Sequence, residues 1–237
     1  MKKATNKKFI LGIAVAVLLP LSFYIIAKLL KKDTLDMPGF YVADTVRTRV
    51  ENGVEVRDTV FHRISDLTLI NQFGDTVGLN TDLKGRVLVI NFFFTHCPVI
   101  CPKLIANMKL FERAFRRDPK RQESLDNQVQ LVSITVNPER DSFPVLRKYA
   151  DRFDVNHDHW SFLTGDKKAI YEFARNELGL SVQPGDGGAD DFIHSEKIVN
   201  IDQNRHIRGY YDGLDSLALA KCTYDISLIT MEKKKLK

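Results

Sequence analysis

Residues 87–94 read Val-Leu-Val-Ile-Asn-Phe-Phe-Phe, and residues 95–102 continue Thr-His-Cys-Pro-Val-Ile-Cys-Pro. The nearly unbroken run of apolar β-formers predicts a central strand covered on both faces. Leu104, Ile105, Met108, Phe111 and Phe115 then recur at helical spacing, which predicts a helix over 98–115. Cys97 and Cys101 therefore fall at the corner between strand and helix, the edge where open α/β sheets bind ligands. Unpaired N–H groups and the macrodipole at a helix start favour a thiolate there. Pro98 suits the first helical turn, where a missing N–H costs nothing.

Working outward, 129–136 reads as the next strand. Residues 142–153 form a helix with Pro144 in its first turn and Leu146, Tyr149, Ala150 and Phe153 along one side. A short strand at 160–163 follows, then a helix capped by Asp166 and ended by Gly179. Residues 181–191 make a polar, glycine-rich loop. Residues 197–201 and 206–211 flank Asp202-Gln203-Asn204 as a hairpin, and 214–229 is the last helix. Upstream, 40–64 alternates around Asn52-Gly53, the strongest short hairpin signal, and 67–73 with 75–79 suggest a second hairpin at Gly74-Asp75. The order predicts one α/β domain over 40–231, a mixed sheet with helices on both faces and an N-terminal hairpin extension.

The N-terminal end has a different character. Residues 9–27 carry no charge and lie between Lys7, Lys8 and Lys28, Lys31, Lys32. This predicts one transmembrane helix, an uncleaved anchor rather than a signal peptide. Residues 1–8 form a basic N-terminus, 28–39 a tether and 232–237 a basic tail. The N-terminus-inside default places the domain across the membrane, with a bacterial inner membrane and a periplasmic domain as the best fit.

The net charge of +5 is misleading. Residues 1–32 hold seven lysines and no acid, and 232–237 contribute a net +3, which leaves −5 for the stretch between. A nucleic-acid binder carries its positive charge on a folded face, so that class is excluded. Three cysteines among 237 residues make no disulfide framework. The close pair points to redox or metal chemistry, and Cys222 reads as a small buried hydrophobe.

Two sulfurs one helical turn apart either share a soft metal or form a disulfide, and the two states exclude each other. Two thiolates leave a metal short of ligands. Six histidines are available: His62, His96, His157, His159, His194 and His206. His62 and His206 read as surface positions in hairpins. His96 should point to the other side of its strand, and His157-Asp158-His159 reads as a solvated loop. His194 sits where the glycine-rich loop enters a strand. Pattern alone leaves the third ligand open.

The stretch FFFTHCPVICPKLIANM at 92–108 resembles the Cys-Pro-x-x-Cys-Pro motif of the Sco/SenC proteins, copper-handling assembly factors for cytochrome c oxidase. Asn71-Gln72-Phe73-Gly74, Leu83-Lys84-Gly85-Arg86, Phe162-Leu163-Thr164-Gly165 and Ser133 through Asp141 are similar to other family stretches, with Asn137 and Ser142 departing. The resemblance spans about residues 65–215 plus the anchor. It implies a thioredoxin-like fold of the peroxiredoxin type. It also implies one copper held by Cys97, Cys101 and His194, with an upstream copper donor and oxidase subunit II as partners. Many members carry Asp before this His, whereas Ile193 stands here.

Two functional classes follow. The first is a membrane-anchored copper metallochaperone for the binuclear copper centre. The second is a thiol–disulfide reductase that keeps the oxidase's copper-ligand cysteines reduced through Cys97 and Cys101. A peroxiredoxin-like peroxidase needs neither the close second cysteine nor the late histidine.

Overall fold

The computed structural model describes residues 7–30, 36–51, 54–115, 127–180 and 196–235. Outside them lie the basic start at 1–6, part of the tether at 31–35, the Asn52-Gly53 turn and residues 116–126. Residues 181–195, including the predicted loop and His194, and the final two residues also lie outside. The chain divides into two compact units, Met1–Asp36 and Met37–Lys237.

In the first unit, α1 is the helix Lys7–Leu30 with Pro20 inside it. Among the described residues no helix is long and apolar enough to cross a membrane. The predicted anchor at 9–27 falls within α1, and the fold does not establish it.

The second unit is built on a five-stranded sheet. Its strands are β5 (Val87–Phe93), β6 (Val129–Thr135), β7 (Trp160–Leu163), β8 (Lys197–Ile201) and β9 (Ile207–Asp212), in the order β7-β6-β5-β8-β9. β5, β6 and β7 run parallel, whereas β8 and β9 are antiparallel to their neighbours, so the sheet is mixed. Every residue of β5 and β6 is buried, which is why their sequences lack the alternation of a half-exposed strand.

Alternate residues of β5 feed two cores. Val87, Val89 and Phe93 pack with α2 (Ile100–Phe115), α3 (Phe143–Arg152) and α5 (Ser216–Lys235). Leu88, Ile90 and Phe92 face the other way. They pack with Ile170 of α4 (Lys167–Glu172), with Phe173 of the π-helical turn Phe173–Glu177 that continues it, and with Leu69 of β3 (Thr68–Ile70). Leu79, just past β4 (Thr76–Gly78), joins them. Asp166 caps α4 by accepting the Ala169 N–H at 2.8 Å, and Gly179 ends the segment at φ +58°, a conformation suited to glycine. The segment 166–179 is therefore not the one regular helix that its pattern predicts, because a wider π turn leaves no mark in a hydrophobic pattern.

Two small ribbons precede the sheet. β3 pairs with β4 around Gly74, at φ +93°. β1 (Ala43–Glu51) pairs with β2 (Val54–Phe61), with a register shift between Ala43 and Thr45.

Candidate metal centre

The carboxyl end of β5 places the cysteines. The predicted helix over 98–115 begins later, at Ile100. The residue before a proline is disfavoured in helical conformation, which keeps Cys97 outside the helix ahead of Pro98. Cys97 therefore precedes α2, and Cys101 lies in its first turn. The sulfur of Cys97 acts as a cap, accepting the Cys101 N–H at 3.2 Å. All three cysteines are free thiols.

The two thiols have opposite character. Burial pushes Cys97 up, but hydrogen bonds from the Cys101 N–H, the Cys101 thiol and the Val99 and Ile100 N–H groups outweigh it. Cys97 is thereby held below the ordinary thiol range. Cys101 is pushed up to about 12, first by burial and then by donating to Cys97. One thiol held low beside one pushed high suits either metal capture or disulfide exchange.

Asp141 supports the corner from below. It is fully buried. Its carboxylate accepts the Thr95 N–H at 3.0 Å and the hydroxyls of Thr95 and Thr135 at 2.5 Å each. It thus pins the turn ahead of Cys97 to the end of β6. In the sequence Asp141 stands out only as part of the Ser133–Asp141 stretch, directly after the strand next to the thiol strand. Tyr149 of α3 stacks near Phe93 at 5.3 Å, and its hydroxyl has no hydrogen-bond partner among the described residues. Burial, then the neighbouring thiols, push its ionisation upward.

A cavity opens over the cysteines. Cys97 and Cys101 line it with Tyr41, Val42 and Tyr210. Gly179, Leu180, Glu196 and Lys197, which bracket 181–195, also line it. Gly213 anchors the later bracket. Its N–H donates to the Glu196 carbonyl at 2.8 Å, and its own carbonyl accepts from Asn107 of α2 at 2.7 Å.

None of the described histidines lines the cavity. His96 is largely exposed and turns to the Thr95 hydroxyl at 3.0 Å. His157 is only partly exposed. It accepts from Gln72 at 3.0 Å through Nδ1 and meets Asp151 at 2.9 Å through Nε2. His159 keeps Nδ1 buried without a hydrogen-bond partner among the described residues. His206 lies edge-on to Phe40. His62, partly exposed at the surface, sits between two carboxylates. Among the described residues no group of three or more His, Cys, Asp or Glu side chains is arranged to hold a metal. His194 lies outside those residues. Cys222 is fully buried, with its thiol toward Asn200 at 3.4 Å, as expected for a small core residue.

The SCO1/SenC family pattern matches residues 58–223. The SCO1 protein homologue of Bacillus subtilis is 30% identical over 165 residues, 69% of this chain and 81% of that protein. The chain spans about half of the mitochondrial SCO2 homologue of mouse, which it also matches. The structure of BsSco, a member of the Sco family of cytochrome c oxidase assembly proteins with a disulfide switch, superposes with a TM-score of 0.59. It is 29% identical and covers 71% of this chain and 94% of its own. ScoI of Bradyrhizobium japonicum with copper bound shares the fold, with a TM-score of 0.53, 24% identity and coverage of 70% and 98%.

Proposed function

From membership of the SCO1/SenC family, to which this chain belongs, we propose that it is a membrane-anchored copper metallochaperone. It serves the binuclear copper centre of cytochrome c oxidase and holds one copper through Cys97, Cys101 and His194. Copper here is cargo. Soft thiolates favour Cu(I), and a mixed sulfur–nitrogen set also accepts Cu(II), so the donor set fits both states.

The observation that carries the reading is the cavity. Gly179 and Leu180 on one side, and Glu196 and Lys197 on the other, line the same space as both cysteines. His194 is two residues from Glu196, a span of about 7 Å for extended chain. Cys97, held below the ordinary thiol range, ionises more readily than Cys101, and Cys101 gives up its proton on binding. Copper uptake therefore releases protons.

The anchor is part of the proposal. Residues 9–27 are uncharged between lysines, and Val17, Leu18, Leu19 and Phe23 are exposed. Such a surface is suited to lipid. The domain then faces the periplasm of a bacterial inner membrane, with oxidase subunit II as acceptor and an upstream protein as donor.

Titration of the reduced protein tests this reading. Wild type takes about one Cu(I) per chain, and Cys97→Ala loses it. The low thiol at Cys97 and its contact with Cys101 favour a second reading, a thiol–disulfide reductase for the oxidase's cysteines. Reductase turnover that survives His194→Ala, with no effect on copper loading of the oxidase, supports that reading over the first.

A further inference from the structure

The thiol cavity has two walls brought together from distant parts of the chain. Tyr41 and Val42 form one, and Gly179 and Leu180 the other. The first wall is held by main-chain bonds from His62 N to Val42 O at 2.8 Å and from Tyr41 N to Ile207 O at 3.2 Å. The second is held by the Tyr210 hydroxyl on the Leu178 carbonyl at 2.8 Å and by Leu180 N on Ala174 O at 3.0 Å. The His62 side chain reaches both segments. Its Nδ1 lies 2.8 Å from Asp44 Oδ1, two residues beyond Val42. Its Nε2 lies 3.1 Å from Glu177 Oε2, two residues before Gly179. Glu177 Oε2 also accepts the Ser65 N–H at 2.7 Å.

Carboxylates only accept hydrogen bonds, and a neutral imidazole has one N–H to give. Both contacts are satisfied together when the ring carries both protons. Asp44 from β1 and Glu177 from the π-helical turn are the charged groups in contact with the ring among the described residues. Arg63, next in the chain, turns its guanidinium to the Asn204 carbonyl at 2.9 Å.

We infer that Asp44, His62 and Glu177 form a hydrogen-bonded strap that ties the two walls of the thiol cavity together and limits access to Cys97. Asp44 is about half exposed, whereas Glu177 keeps the Ser65 N–H, so the Asp44 arm is the weaker one. His62 is a positioning residue, and the strap stands whether or not the cavity carries copper.

Amide hydrogen exchange read by mass spectrometry tests the strap on the reduced, metal-free full chain, with rates corrected for intrinsic pH dependence. His62→Gln donates to one side only and speeds exchange about tenfold over 41–44 and 178–180, while β5 and β6 hold their rates. His62→Arg, a permanent cation with several N–H groups, restores wild-type rates. An unmoved wall in His62→Gln, or a wall in His62→Arg as loose as in His62→Gln, overturns the inference. Should His62→Gln fail to fold, Asp44→Asn cuts only the exposed arm. It loosens 41–44 and spares 178–180, and the opposite pattern or no change refutes the strap.

Discussion

Replacing Asp141 separates two jobs of one buried carboxylate. It accepts three hydrogen bonds, one from the Thr95 main chain and two from threonine hydroxyls. Asp141→Ala removes all three acceptors. The hydroxyls rotate toward other partners, but the Thr95 N–H is fixed by the backbone. An orphaned buried donor costs about 1–3 kcal/mol and each displaced hydroxyl up to about 1, so the loss is ~2–4 kcal/mol. Asp141→Asn keeps an acceptor for the Thr95 N–H and turns its amide toward a hydroxyl, which accepts as readily as it donates. Its cost stays below about 1 kcal/mol. The single tryptophan, Trp160, is fully buried and gives a fluorescence signal for urea unfolding. With the slope expected for a domain of this size, Asp141→Ala moves the midpoint down by about 1 M and Asp141→Asn by much less. The negative charge of Asp141 also helps push Cys101 up, so both variants make Cys101 easier to alkylate. Equal destabilisation by Ala and Asn, or a Cys101 that responds to neither, refutes the reasoning.

At pH 8 iodoacetamide labels Cys97 far ahead of the other two thiols, since Cys101 and Cys222 are each pushed up to about 12 and hold only ~10⁻⁴ thiolate there. Peptide mapping reads the order, and Cys97 labelling rises with pH through a range below that of an ordinary thiol. Gly213→Ala places a methyl group against Leu104 and 2.8 Å from the Glu196 carbonyl, prising apart α2 and the start of β8. It weakens Cu(I) binding several-fold in a competition titration while the sheet stays folded. Cys222→Ala leaves copper stoichiometry unchanged and costs ~1 kcal/mol in urea unfolding through a small core cavity.

Residues that bury both faces of a strand, or carry a cap, leave a local trace. Val87–Phe93 was legible because its environment forbids polar side chains on either side, and Asp166 and Gly179 marked a helix start and stop by their chemistry. The entry to α2 was misplaced by two residues because Pro98 suits both an approach and a first turn. Asp141 acts on Thr95 across 46 residues, and His62 meets Glu177 across 115. No window of sequence holds both partners of such pairs. The cysteine pair needed only its own spacing and its strand. His194, which lies outside the described residues, is singled out among six histidines only through the family resemblance.

Copper-edge X-ray absorption of the Cu(I)-loaded, reduced full chain reads the ligand set itself. Wild type is expected to show two sulfur neighbours and one imidazole nitrogen. His194→Ala loses the nitrogen signal and binds at least about tenfold more weakly. An identical coordination shell and affinity in His194→Ala, or an unchanged sulfur count in Cys97→Ala, rules out Cys97, Cys101 and His194 as the copper ligands.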